Sequence, residues 1–599
     1  MENNCASLGK ELTEKNKTYF IKGVEIFLAF TFIVFILGII CAAFRGILMC
    51  DESVNLLRYA NPRQELHPTT YYIIVNKIFG WLPAEIYVYR LLSLMFNLLS
   101  SIVFFIGFWT WLKSLFENHN ILVWNKITVF LFIIIGNLIS FFVFTGGLGY
   151  NSLNNALILV SSGCIFWVLG KKELSKKAGL VIYTCGALIG IDFFIKFSAS
   201  ILFLLCSSII MPYKKNNLLK LYNGFIIGLI IYFILFQSPV AWLQGFFYAI
   251  FGAAAGTHSL SSVLNAYISS ILLNISLILK NFSLPLLLIT FGLLTLRFEE
   301  IKFIKWIRMT LLTLGTAFIF ISIIKTNLYN PKDLRFYITI FFIILTIQVI
   351  LNLLSSAKTL SVFKACFRKA LPGIVFLFFL PFIMAFGTNI PIVLLAYNHI
   401  MPWFALFVLM SILGILSSKL DYKFQLILPL TAIFFAWAYF ICIFIFRLDF
   451  PNFAVINQNY RVNNITKLKH MRVGYDTKTF IESTHSLLLK AGFKKGDGLV
   501  GFNIPFFVYA FDAKSPGAYW YTTEFPVNNC LTMTSVKTEL EKSYFLLPSK
   551  VDPDHIECIV RQDFLKDHEY AGHVTTPYNI YSIDKGVKLL LFKPVNKLE

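Results

Sequence analysis

The chain has 599 residues, 57% hydrophobic and 14% charged, with a mean hydropathy of +0.72, a balance that excludes a freely soluble protein because too little polar surface is left to face water. A formal net charge of +21 would suit a nucleic-acid binder, but many of the Lys and Arg stand in short clusters between apolar runs, as cytoplasmic anchors do. Nucleic acid is therefore excluded as a partner, and membrane lipids are expected.

The first apolar run, Val24 to Cys41, is long enough to span a bilayer and is followed by Arg45 rather than a small-residue cleavage site, so it reads as a retained signal anchor. Further runs stand near 88–112, 121–145, 152–170, 178–192, 197–212, 222–240, 280–296, 308–325, 336–355, 371–388, 399–417 and 425–447, giving about thirteen spans. The short runs 178–192 and 197–212 are split by Asp192 and Lys196, and 259–279 reads as an interfacial helix or another span. Basic clusters at Lys10/Lys15/Lys17/Lys22, Lys171/Lys172/Lys176/Lys177, Lys214/Lys215/Lys220, Arg297/Lys302/Lys305/Arg308 and Lys358/Lys364/Arg368/Lys369 alternate with loops poorer in Lys and Arg. This alternation puts the N-terminus in the cytoplasm and the first large loop, 45–87, on the opposite side of a plasma (inner) membrane, together with the tail.

Two units follow from this pattern: a polytopic α-helical membrane domain, 1–447, and an extracytoplasmic soluble domain, 448–599, of α/β or α+β type. In the tail, TKTFIESTHSLLLKAGF reads as an amphipathic helix closed by Gly492. GLVGFNIPFFVYAF reads as β-like, and YNIYSIDKGVKLLLFKP has the look of a hairpin.

The first loop carries the most informative residues: Asp51-Glu52 just after the first span, then His67-Pro68-Thr69-Thr70-Tyr71-Tyr72, and Arg90 entering the second span. Adjacent carboxylates at a membrane surface are costly against hydrocarbon and call for water, a metal or a proton-transfer task. A carboxylate there is placed to take the proton of an acceptor hydroxyl or amine, as a general base does; the alternative is a solvated pair capping a juxtamembrane helix. Arg90, Lys196 and Arg335 lie where a polyprenyl phosphate would need cations, or else snorkel to anchor their helices. His67 with only Asp and Glu nearby is a weak metal signal, and it also reads as a phosphate partner or as the residue preceding the Tyr71-Tyr72 helix, so no metal ligand is assigned and the cofactor stays unknown: a divalent cation has no clear ligand set.

The order of an acidic pair after span one, His67-Pro68 before Tyr71-Tyr72, and Arg90-Leu91-Leu92-Ser93 at span two resembles the first loop of the protein O-mannosyltransferase and aminoarabinose-transferase family, within the GT-C glycosyltransferase superfamily. This sequence departs from the usual pattern at Thr69, Thr70 and Leu92, and has Gly149-Tyr150-Asn151 where an acidic residue is common. Gly190 to Lys196 is similar to the family's glycine-to-lysine turn, and Asp333-Leu334-Arg335-Phe336-Tyr337 to its Arg-Tyr element. The resemblance implies a GT-C-like fold and transfer of a sugar from a polyprenyl-phosphate donor to a lipid, glycan or protein acceptor on the extracytoplasmic face. It assigns Asp51 and Glu52 to catalysis, and His67, Tyr71, Arg90, Lys196, Arg335 and Tyr337 to substrate binding. The competing readings are a transporter or flippase of lipid-linked substrates, which predicts an internal repeat that is not evident, and a polysaccharide polymerase or ligase, which usually carries its main loop late.

Overall fold

The computed structural model describes residues 2–62, 69–117, 124–143, 147–171, 175–211, 215–247, 260–295, 302–325, 339–347, 360–388, 390–417, 422–446, 454–522, 536–549, 567–580 and 583–595. The membrane part contains, in order, α1 (Glu2–Ala43), α2 (Asp51–Ala60), α3 (Tyr71–Phe79), α4 (Ile86–Leu115), α5 (Lys126–Val143), α6 (Tyr150–Leu169), α7 (Lys176–Ile210), α8 (Lys215–Leu235) and α9 (Pro239–Phe247). It continues with α10 (Leu260–Leu294), α11 (Lys302–Lys325), α12 (Leu360–Ala385), α13 (Ile392–Ala396), α14 (Met401–Ser417) and α15 (Tyr422–Ile441).

Among the described residues seven helices are long and apolar enough to cross a membrane, and an eighth is made by the pair Ile392–His399 and Met401–Ile415, bent by 73°. This is fewer than the thirteen apolar runs, for identifiable reasons. The run 336–355 falls largely outside the described residues, and the apolar helices within 121–145 and 425–447, Lys126–Ser140 and Pro429–Ile445, are short; 259–279, read as an interfacial helix or another span, continues without a break into 280–294 as α10. The runs 178–192 and 197–212 are counted once because they lie in one stretch of 35 residues, α7, although its backbone is non-helical at Lys196 and the two runs form separate arms.

The break at Lys196 is a reversal. Ser200 Oγ donates to the Ile189 carbonyl at 2.6 Å, eleven residues back, a separation that would be about 16 Å along a straight helix. The first arm packs on α8 through facing small-residue notches: a Cβ at Gly186 or Gly190 would meet the backbone of Leu221 and Phe225, beside Gly224 and Gly228. Two Gly-x-x-x-Gly notches brought face to face let backbones approach closely, which lipid-embedded helices use in place of a hydrophobic drive to associate. Reversal frees carbonyls, and the first loop takes one of them: Thr70 donates to Phe194 O from its amide at 3.0 Å and from its hydroxyl at 3.3 Å.

The tail has a two-stranded ribbon, β1 (Tyr460–Arg461) with β2 (Arg472–Val473), then α16 (Tyr475–Lys490), β3 (Leu499–Gly501), α17 (Pro505–Ala510), α18 (Lys537–Leu540), β4 (Tyr544–Pro548), β5 (His568–Thr575) and β6 (Lys588–Pro594). The larger sheet has the order β3-β4-β6-β5, with β3 parallel to β4 and the other neighbours antiparallel. The amphipathic helix forms as α16 and ends at Gly492, whose φ of +88° needs glycine. Two tail expectations are corrected. Only Leu499–Gly501 of the β-like run is strand, because Pro505, with its fixed φ and missing N–H, opens a helix instead. The strand Lys588–Pro594 pairs with His568–Thr575 rather than closing a hairpin with the residues just before it.

The tail does not stand apart from the first loop. Ile47, Val54, Leu57 and Tyr71 share one continuous core with Val462, Phe480, Phe506 and Phe507. Main-chain bonds stitch the two: Phe506 N to Met49 O at 3.2 Å, Arg472 N to Phe44 O at 2.9 Å and Gly46 N to Arg472 O at 2.8 Å. The end of α1, the first loop and the tail therefore lie at one face of the helix bundle.

Candidate functional site

Asp51 and Glu52 open α2, and adjacent helical positions point about 100° apart, which separates their fates. Glu52 turns inward and is 2% exposed; Asp51 stays exposed. Arg90, at the start of α4, grips Glu52 with both edges of its guanidinium, Nε to Oε1 at 2.6 Å and Nη2 to Oε2 at 2.7 Å. Its Nη1 donates to the carbonyls of Ala42, Ala43 and Arg45 at 3.2, 3.3 and 2.9 Å, satisfying the otherwise orphaned end of α1. Glu52 also accepts from the Leu48 amide at 3.2 Å. Burial pushes the Glu52 carboxyl above its usual range, against the opposing charge and hydrogen bonds of Arg90. Glu52 and Arg90, expected in catalysis and phosphate binding, are thus engaged with each other and with the end of α1.

A polar cluster gathers around Asp51. The Tyr71 hydroxyl donates to Asn55 Oδ1 and accepts from Arg58 Nη1 at 3.3 Å. Tyr150, at the first position of α6, lies within electrostatic reach of Asp51, Tyr71 and Tyr267, and is followed by Asn151. Asn151 Oδ1 in turn accepts from Lys196 Nζ at 3.1 Å, and Lys196 donates a second bond to Met384 O at 2.7 Å. Reversal of α7 therefore brings Lys196 beneath the first loop, on the side of Asp51. Tyr267 ties down the neighbouring loop: its hydroxyl donates to Thr388 O at 2.6 Å and accepts from the amides of Gly387 and Thr388, each at 2.9 Å.

One turn into the bundle, the polar residues continue as a seam. Asn154 donates to Met384 O at 3.2 Å, Asn155 to Asn97 Oδ1 at 3.0 Å, and His399 Nδ1 meets Asn155 Oδ1 at 3.1 Å. Asp192, one turn before Lys196 and 1% exposed, has no hydrogen bond on either carboxylate oxygen among the described residues; its electrostatic partner is Lys196. Buried ionisable residues at such depth are rare without a task or a partner.

Of the residues named from the sequence, Asp51, Tyr71 and Lys196 are brought to this cluster, and Glu52 and Arg90 stand directly behind it. His67, Arg335 and Tyr337 lie outside the described residues. Sequence reasoning did not pick out Asn55, Arg58, Asn97, Asn154, Asn155 or Tyr267, and it read Tyr150-Asn151 only as a departure from a pattern. The signal was present in Asn151, Asn154 and Asn155, spaced to share one face of an otherwise apolar span. Among the described residues no three His, Cys, Asp or Glu side chains converge as a metal set would. Comparison of the chain with protein-family models, with curated proteins and with solved structures found no match.

Proposed function

We propose that this protein is an integral-membrane glycosyltransferase that moves a sugar from a polyprenyl-phosphate donor to an acceptor, at the face that carries the tail. The observation that supports this best is the exposed Asp51 beside Tyr150, whose neighbour Asn151 holds Lys196. In this reading Asp51 takes the proton of the acceptor hydroxyl or amine. The acceptor atom then bonds to the anomeric carbon, and the carbon–oxygen bond to phosphate breaks with its electron pair leaving on the phosphate. Lys196 has a third N–H beyond those given to Asn151 and Met384, and it is the cation offered to that leaving phosphate. Tyr71 and Tyr150 supply the aromatic and hydroxyl surface on which a sugar ring rests. Glu52 and Arg90 are positioning residues that fix the start of α2, and with it Asp51, against the end of α1.

A second reading, a transporter of lipid-linked substrates, is favoured by one observation: the buried Asp192–Lys196 pair at a broken helix, a recurrent feature of transport sites. The deciding experiment is transfer of labelled sugar from a panel of polyprenyl-phosphate sugars in membranes carrying the wild type or Asp51→Asn. Transfer that the variant lacks supports the enzyme; a folded wild type that transfers none of them, or an Asp51→Asn variant with full transfer, refutes the assignment.

A further inference from the structure

A second site stands apart from the Asp51 cluster and shares no residue with it. A cavity of about 300 Å³ opens where the tail meets the end of α1, lined by Phe44, Arg461, Lys469, His470 and Arg472. The β1–β2 ribbon places Arg461 directly across from Arg472, and like charges opposite each other in an antiparallel pair are destabilising. Lys469 and His470, in the connection between the two strands, add to the same basic wall. Some of the tail's other cations are paired: Lys467 and Lys495 each hold Asp512 at 2.9 Å, Lys478 lies 3.8 Å from Glu482, and Lys593 holds Glu569. Among the described residues these four basic side chains have no such carboxylate, and an anion is what would relieve their crowding.

The position says where that anion comes from. Phe44 follows the apolar span Tyr19–Ala43 directly, and β2 is hydrogen-bonded to the chain on both sides of Arg45, so the ribbon sits at the level where the span leaves the apolar layer. Phe44 stacks on Tyr87 at 4.9 Å, and Tyr87 meets the His470 ring at 5.4 Å. The cavity is therefore apolar on its membrane side and cationic on its tail side, which is the complement of a lipid headgroup rather than of a free ion. Guanidinium forks match phosphate oxygens in pairs, and the volume is at the small end of ligand sites, enough for a phosphorylated headgroup.

We propose that this cavity binds the phosphate of an anionic lipid headgroup in the leaflet facing the tail, clamping the β1–β2 ribbon to the bilayer. The test is lipid retention by the full-length protein in phosphatidylcholine nanodiscs with and without phosphatidylglycerol, read by native mass spectrometry. The wild type should retain phosphatidylglycerol preferentially, and Arg461→Gln with Lys469→Gln should weaken retention on the order of tenfold. Lys469→Gln with His470→Gln, at two exposed positions, provides a second pair expected to act in the same direction. Lys585→Gln with Lys588→Gln removes two equally exposed positive charges elsewhere on the tail and should leave retention unchanged. Equal retention by the wild type and both cavity pairs would overturn the proposal. So would a cavity that inorganic phosphate fills at millimolar concentration with no preference for the anionic lipid.

Discussion

Arg90 and Glu52 form a bidentate ion pair, 4% and 2% exposed, and the same guanidinium closes the carbonyl end of α1. The end of α1, the start of α2 and the start of α4 depend on one side chain. Removing either partner leaves a buried charge without its counterpart, a loss of about 3–5 kcal/mol. Glu52→Gln and Arg90→Ala should therefore both lower the unfolding temperature of the detergent-solubilised protein substantially. Arg90→Lys should rescue little, because an ammonium cannot grip both carboxylate oxygens and three carbonyls at once. A Lys variant as stable as the wild type would show that the fork geometry is unimportant.

Asp51 makes the opposite forecast although it is the neighbouring residue. Its side chain is exposed at the start of α2 rather than locked in a buried pair, so Asp51→Asn should cost far less than Glu52→Gln, about 1 kcal/mol or less. As the proposed general base, its loss should lower sugar transfer by about 10²–10⁴-fold. The paired measurement separates the two carboxylates: an unfolding temperature that falls far more for Glu52→Gln than for Asp51→Asn, with transfer lost in the second. If Asp51→Asn unfolds as readily as Glu52→Gln, its role is structural.

The sequence made the apolar helices readable, because length and hydropathy alone decide whether a segment lies in hydrocarbon. It also marked where the apolar helices give way to the tail that carries the sheet, and the helix that ends at Gly492. Less legible was which of two adjacent carboxylates would be buried, since that depends on Arg90 arriving from 38 residues away. The run Phe506-Phe507-Val508-Tyr509 has strand-forming residues, yet Pro505 and burial against α2 make it helical, a case of tertiary context overriding propensity. Asp192 and Lys196 were read as splitting two short spans at a glycine-to-lysine turn, and the chain does double back there; that Thr70 of the first loop caps Phe194 at this turn follows from contacts that no local pattern encodes.

Packing of α7 on α8 gives a prediction independent of function. Gly186 and Gly190 leave no room for a Cβ against Leu221 and Phe225, so Gly190→Leu should force the arms apart. Overpacking typically costs about 1–3 kcal/mol, and here it would also move Lys196, which the first arm carries. Cross-linking between cysteines placed on α7 and α8 should fall in the variant. Unchanged cross-linking and stability would mean that the notches are not what holds the pair.

Asp512 permits a pH test within the tail. Partial burial alone would raise its carboxyl, but hydrogen bonds and charge from Lys467 and Lys495 outweigh it and hold the group below its usual range. A depressed carboxylate contributes stability that is full above the unfolded value of about 3.9 and is lost as pH falls through the lower folded value. Both ion pairs are partly exposed, with Asp512 at 21%, so each contributes about 0.2–1 kcal/mol. Asp512 also has φ of +53°, which Asn tolerates nearly as well, so Asp512→Asn removes the charge without straining the backbone. Wild type should be the more stable at neutral pH, with the difference shrinking below about pH 4 as the carboxylate takes up its proton. Hydrogen exchange at the Gly496 amide, which donates to Asp512 O at 3.0 Å, reads this locally: faster exchange in the variant at neutral pH, and convergence with the wild type in acid. A gap that persists in acid would assign the effect to something other than the charge of Asp512.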